Sequence, residues 1–175
     1  MVSKTDALNF KVSTGLKNVL GSRLITDDEV AVFELVKNSF DAGATRVELF
    51  FDEDKFVIAD NGEGISKDDI ENKWLFVAYS NKRAGKRSTD YRSQISSRRQ
   101  VAGSKGIGRF SSDRLGAQVT LQSKPKKDVK SPVHQLKMDW DKFDVDQIER
   151  FTDIDLDYQA VDNFVQPKEF KFHKF

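Results

Sequence analysis

Three short stretches carry residue types that could act together on one ligand. The first is Glu34-Leu35-Val36-Lys37-Asn38-Ser39-Phe40-Asp41-Ala42. At about 100° per residue, Glu34, Asn38 and Asp41 fall at about 0°, 40° and −20°, which lines three oxygen-bearing side chains along one helical stripe. The opposite arc, Val32, Leu35, Val36 and Phe40, is apolar and is expected to face the core. Taken alone, the stripe reads first as the wet face of an amphipathic helix. The second stretch is Asp60-Asn61-Gly62-Glu63-Gly64-Ile65, directly after the strand-like Phe56 to Ala59. Its glycines allow close backbone approach. A carboxylate at the end of a buried strand needs a partner, and the exocyclic amine of a purine would serve. Asn-Gly is also an ordinary turn dipeptide. The third is Gly103-Ser104-Lys105-Gly106-Ile107-Gly108, followed by Arg109-Phe110-Ser111-Ser112 at a helix start. Such glycines expose successive N–H groups to an anion, so phosphate binding is natural there. The spacing matches neither the G-x-x-x-x-G-K-[ST] loop nor the G-x-G-x-x-G fingerprint, and a lone glycine cluster is weak support.

The elements that must position these residues follow from periodicity and punctuation. Ala7 to Leu24 has helix-like spacing with Gly21 as a stop. Thr26-Asp27-Asp28-Glu29 has capping-box spacing and opens a helix that Gly43 ends. Arg46 to Asp52 and Lys55 to Ala59 alternate around an acidic turn and predict a hairpin. Ser66 starts a further helix carrying Ile70, Trp74, Leu75 and Val77. Ser80 to Gln100 has no periodicity, and loops that long are usually functional or disordered. A short helix ends near Gly116, strands are expected at Gln118 to Ser123 and His134 to Trp140, and further strands at Thr152 to Ala160 and Glu169 to Phe175. Helices first and hairpin-linked strands after argue for an α+β two-layer sandwich, helices on one face of a mixed, mostly antiparallel sheet.

With 175 residues, 38% hydrophobic and fourteen Phe, the chain is long and apolar enough for one domain with a sizeable core. It has no cysteine, which excludes disulfide scaffolds, cysteine-ligated metals and thiol nucleophiles, and two His make a histidine-rich metal site improbable. No apolar run reaches signal-peptide or membrane-span length, so no membrane partner is expected and a cytoplasmic location is the default. A net charge of +1 hides an uneven distribution: Asn81 to Lys130 holds fourteen Lys and Arg against three Asp, and Asp139 to Asp157 holds eight acids against two bases. A block of that kind is usually a solvated face and less often a polyanion-binding surface.

Taken together and in this order, the three motifs closely resemble the N, G1 and G2 boxes of the GHKL ATPase superfamily, which unites gyrase B, the ninety-kilodalton heat-shock chaperone, histidine kinases and MutL. The resemblance covers roughly Thr26 to Gly116. Trp74 to Lys82 is similar to the segment that opens the nucleotide lid in the chaperone, MutL and MORC-like branches. Histidine kinases are a poorer match, because no phosphoacceptor helix precedes the domain and both His lie near the end. The resemblance implies the Bergerat ATP-binding fold over residues 1–175, with a lid at about 78–104, ATP as ligand and Mg²⁺ as cofactor. It implies Glu34 as the general base that activates the attacking water and Asn38 as the magnesium ligand, an amide oxygen suiting a hard cation. Asp41 and Ala42 would border the nucleotide. Asp60 would accept the adenine amino group, with Gly62, Gly64 and Ile65 beside the purine. Gly106, Ile107, Gly108, Arg109 and Phe110 would wrap the phosphates with main-chain donors, Lys105 and Lys82 would add charge, and Ser80 would also contact the nucleotide.

Two departures from the superfamily pattern bear on activity. The usual closing strand with a Gly-Thr pair does not follow Phe175, so the chain reads as truncated there. The cation that contacts the terminal phosphate in the chaperone, gyrase and MutL branches comes from a following domain, so turnover by this piece alone is expected to be slow or absent. The expected role is the N-terminal nucleotide-binding domain of a larger, homodimerising ATPase. The alternatives are a nucleic-acid-binding module that uses residues 81–130, which has only Tyr91 and Phe110 for stacking, and a histidine kinase catalytic domain.

Overall fold

The computed structural model describes residues 12–20, 25, 27–76, 108–144 and 150–165. Helix α1 (Leu16–Leu20) is shorter on its N-terminal side than the periodicity from Ala7 predicts. Ser13 is committed to an isolated antiparallel bridge with Arg150, and Gly15 is a weak helix former, so the described residues 12–15 stay outside the helix. Helix α2 (Asp28–Asp41) is capped by Asp27, whose carboxylate accepts the Val30 N–H at 2.8 Å. The cap thus sits one residue after the expected Thr26, and Asp28 and Glu29 in the first turn suit the positive end of the helix dipole. Gly43, at φ 76°, ends the helix as expected.

Strands β1 (Val47–Phe51) and β2 (Phe56–Asp60) form the expected antiparallel hairpin, Val47 opposite Asp60, with Phe51 stacked on Phe56 at 4.5 Å. Helix α3 (Lys67–Asp69) opens with a complete capping box between Ser66 and Asp69, then widens at once into a π-helical turn over Ile70–Trp74. A 3-10 turn, Gly108–Phe110, leads into α4 (Ser111–Leu115), capped at Gly116. Strands β3 (Gln118–Ser123), β4 (Val133–Asp139) and β5 (Asp157–Val161) form an antiparallel sheet in the order β3-β4-β5. β5 starts later than expected, because Phe151–Asp153 is a 3-10 turn that inserts Phe151 among the core rings.

The architecture is α+β, and every strand pairing among the described residues is antiparallel. The two sheets are joined through the loop after β2. The core cluster is Phe110, Met138, Trp140 and Phe143, with Trp74, Phe151 and Leu156 packed on it. Phe110 lies 5.5 Å from Trp140 and 6.1 Å from Phe151, separations at which tilted rings gain beyond simple burial. This cluster anchors the turn that carries Gly108. Among the described residues no helix is long and apolar enough to cross a membrane.

Candidate nucleotide site

Helix α2 does not bury the arc its apolar pattern predicts. Its buried residues are Ala31, Glu34 and Ser39, while Phe40 is 58% exposed and Val32, Leu35 and Val36 are half-buried. The inward side is the one that meets α4, the Gly108–Phe110 turn and β2. The polar stripe is therefore not simply a wet face. Glu34 is only 9% exposed, whereas Asn38 and Asp41, farther along the stripe, reach solvent. A carboxylate at that depth has lost most of its water and needs polar neighbours. Lys37 Nζ stands 3.5 Å from Glu34 Oε2.

The first and third motifs meet at Gly108. A Cβ placed there would lie 3.5 Å from Glu34 Oε2 and 3.6 Å from both amide atoms of Asn38. The glycine backbone thus runs directly past the acid and the amide, which belong to successive turns of α2. The side chains on either side of this approach are held elsewhere. Phe110 is 2% exposed within the core. Arg109 donates from Nη1 to the Lys73 carbonyl at 3.1 Å and stacks over Trp74 at 5.6 Å. Burial pushes its pKa down to about 10. What the turn can offer a ligand beside Glu34 is its main chain.

The first and second motifs meet at Asp60. Ser39 donates its hydroxyl to Asp60 Oδ2 at 2.8 Å, and the Gly62 N–H donates to Oδ1 at 2.8 Å. Each carboxylate oxygen keeps a second acceptor site. The strand that delivers Asp60 is half-buried rather than buried, and Asp60 itself is exposed at its end. Ala42 completes the join: its carbonyl accepts the Glu63 N–H at 3.0 Å, and a Cβ on Gly62 would come within 3.0 Å of Ala42. Asn61 faces the other way, accepting the N–H groups of Thr45 and Arg46 at 2.9 Å each.

Gly64 is required by this chain's own packing. Its φ is +66°, and a Cβ there would fall 2.0 Å from the Lys124 carbonyl oxygen. The close approach it permits is to the end of β3, where Ile65 N–H donates to Ser123 Oγ and Lys126 N–H to the Glu63 carbonyl, both at 2.9 Å. Three of the residues that hold the site, Ser39, Ser123 and Lys124, were not singled out from the sequence. Ser39 had a signal, being a hydroxyl at about 140° on the wheel, inside an otherwise apolar arc. Ser123 and Lys124 had none, since only the sheet brings them to Gly64.

Ser80, Lys82, Lys105, Gly106 and Ile107, together with the lid segment and the strand expected at Glu169 to Phe175, lie outside the described residues. An apolar cavity of about 40 Å³ between Trp74, Arg109, Phe110 and Trp140 is far too small for a purine, so it is a gap in core packing and not the ligand hollow. Among the described residues no group of three or more His, Asp or Glu could hold a metal ion. A single amide at Asn38 suits a cation that arrives with most of its oxygens supplied by phosphate and water.

Residues 25–169 match the family described as histidine kinase-, DNA gyrase B-, and HSP90-like ATPase. The DNA mismatch repair protein MutL of Listeria monocytogenes is 34% identical over 83 residues, 46% of this chain and 13% of that protein. MutL of Borreliella afzelii is 49% identical over 45 residues, 24% of this chain and 7% of its own length. A candidate type II restriction enzyme, HgiDII, of Herpetosiphon aurantiacus is 35% identical over 101 residues, 58% of this chain and 15% of that protein. The matches therefore span only a small fraction of each relative's length. The family match extends over most of the sequence, including all three motifs, and the chain belongs to the histidine kinase-, DNA gyrase B- and HSP90-like ATPase family.

Proposed function

We propose that this chain binds Mg·ATP in the hollow between α2, the Asp60 loop and the Gly108 turn, and serves as the nucleotide-binding domain of a larger ATPase in which hydrolysis is slow. The observation that carries the reading is the convergence at α2: Gly108 stands against Glu34 and Asn38, and Asp60 is held by Ser39. The free acceptor sites of Asp60 suit the adenine amino group. Its Gly62 and Ser39 partners fix its plane. Main-chain N–H groups of the 108–110 turn suit phosphate oxygens, because the Arg109 and Phe110 side chains are anchored away from α2.

Asn38 would hold magnesium through its amide oxygen; the cation would neutralise charge on the phosphates. Glu34 would accept the proton of the attacking water. Its low exposure keeps bulk solvent from competing for that role. The proposal includes a nucleotide-gated lid at about 78–104, homodimerisation of the parent protein and a cytoplasmic setting, all resting on family likeness. Glu34→Ala tests the role of the base: in the longer protein it should abolish hydrolysis and spare binding of an ATP analogue. Turnover that survives the substitution contradicts the assignment.

A second reading, contact with DNA, is favoured by two observations. Relatives are named for mismatch repair and restriction. The described end of the basic block, the turn after β3, presents Lys124, Lys126, Lys127 and Lys130 against the one acid Asp128. Salt-sensitive DNA binding that weakens on neutralising Lys127 and Lys130 would support it; binding unchanged by those substitutions would contradict it.

A further inference from the structure

Lys17 is a buried cation that the proposed chemistry does not use. It is 5% exposed on α1, with Nζ 3.0 Å from Asp113 Oδ1 and 2.6 Å from Asp144 Oδ2. Asp113 is half-buried, its side chain 9% exposed, and it sits on α4 three residues after Phe110. One face of α4 lies against α2, and Lys17 holds it from another element. The lysine is fixed in turn. The Phe151 N–H donates to the Val12 carbonyl at 3.0 Å and Ser13 bridges Arg150, so the segment before α1 is tied to the stretch that carries the core ring Phe151.

A buried ion pair is a poor source of net stability, because desolvation offsets most of the Coulomb attraction, but breaking one partner leaves a costly unpaired charge. What it supplies is direction. Building on the nucleotide reading above, we infer that Lys17 is a positioning residue: by pinning Asp113 it sets where the main chain of residues 108–110 stands relative to Glu34 and Asn38, and so tunes affinity for the phosphate end of the nucleotide. Burial works to lower the lysine's pKa, and the hydrogen bonds it donates to Asp144 and Asp113 outweigh it, leaving it above the ordinary value. Burial raises the Asp113 carboxyl above its ordinary range against the pull of Lys17, and Asp144 and Asp141 add repulsion. Lys17 thus offsets part of what burial costs the Asp113 carboxylate.

The test separates the two ends of the ligand. The 175-residue chain is titrated calorimetrically with a non-hydrolysable ATP analogue plus Mg²⁺ and, separately, with adenosine. Lys17→Met should weaken the analogue roughly tenfold or more and adenosine less than about twofold, because adenosine engages only the Asp60 side. Lys17→Arg, which keeps the cation, should recover most of the loss. A merely structural lysine would move both ligands together. Unchanged analogue binding, or equal loss of both ligands with an unaltered circular dichroism spectrum, overturns the inference. If Lys17→Met does not fold, Asp144→Asn carries the test, its side chain being 46% exposed: selective weakening of the analogue upholds the inference, and analogue binding like wild type overturns it. A folded wild-type chain that binds neither ligand overturns the nucleotide reading and this inference with it, whereas wild-type binding of both with no selective loss in the variants overturns this inference alone.

Discussion

Gly64→Ala puts a methyl group where the chain's own backbone already stands. The new Cβ would lie 2.0 Å from the Lys124 carbonyl oxygen, at a φ of +66°. Relief requires a shift of about 1 Å, since carbon and oxygen in contact sit beyond about 3 Å. That shift breaks the two 2.9 Å bonds that seat the loop, Ile65 N–H to Ser123 Oγ and Lys126 N–H to the Glu63 carbonyl. Each is worth about 1 kcal/mol net, and holding alanine in the left-handed region costs a further 1–2 kcal/mol, approximately. The expected destabilisation is on the order of 3–4 kcal/mol, a large part of a typical domain's ~5–15 kcal/mol. For a chain of this size it corresponds to a fall in melting temperature of roughly 10 °C. Urea and thermal melts read it directly. Gly116→Ala is the control, because nothing lies within 4 Å of its Cβ direction and its φ of 174° suits any residue; its stability should stay within about 0.5 kcal/mol of wild type. Gly108→Ala is the informative contrast. Its nearest neighbours at 3.5–3.6 Å are ordinary contacts, so the fold should hold while nucleotide affinity falls. A Gly64→Ala protein as stable as wild type would refute the claim that the Asp60 loop is seated on β3.

Three further outcomes follow from the described contacts. Ser39→Ala should cost about 1.5–3 kcal/mol by removing the hydroxyl bound to a carboxylate, and in a double-mutant cycle with Asp60→Asn the two losses should couple; strict additivity would show that the contact carries no energy. Because Lys17 titrates above 10.5, its contribution is fully present below that value and is lost as pH rises through the higher folded pKa, so an alkaline decline in the urea midpoint should appear in wild type and be missing from Lys17→Met. Asp69 is lowered from 3.8 by its bonds to Lys73 and then Ser66, so its stabilisation is present above that value and lost as pH falls through the lower folded pKa. Asp69→Asn should flatten this acid limb, and an unchanged limb would contradict the capping assignment.

The punctuated elements were legible from the sequence. Gly43, the helix start at Ser66, the β1–β2 hairpin and the β3–β4 pair all stand where caps, turns and alternation put them. Elements whose bounds depend on tertiary partners were not. Ser13 gives its backbone to Arg150, which shortens α1, and Phe151 enters the aromatic core, which delays β5. The three motifs were readable as one constellation, yet the inward face of α2 was misjudged at Phe40. An apolar wheel shows which residues avoid water and not which neighbour arrives. Here α4 and the Gly108 turn meet the side bearing Ala31 and Glu34. The seating of Gly64 on Lys124 was invisible for the same reason, since the two residues are sixty positions apart and only the sheet joins them.

Nucleotide binding is decided by a calorimetric titration of the folded 175-residue chain with a non-hydrolysable ATP analogue and Mg²⁺, wild type beside Asp60→Asn. Nucleotide binding at Asp60 predicts saturable binding to wild type and a loss of at least roughly tenfold in Asp60→Asn, whose amide removes the charge and turns one of the two acceptor oxygens into a donor. Heat at the level of dilution with millimolar analogue, from a wild-type chain whose circular dichroism shows it folded, would contradict it.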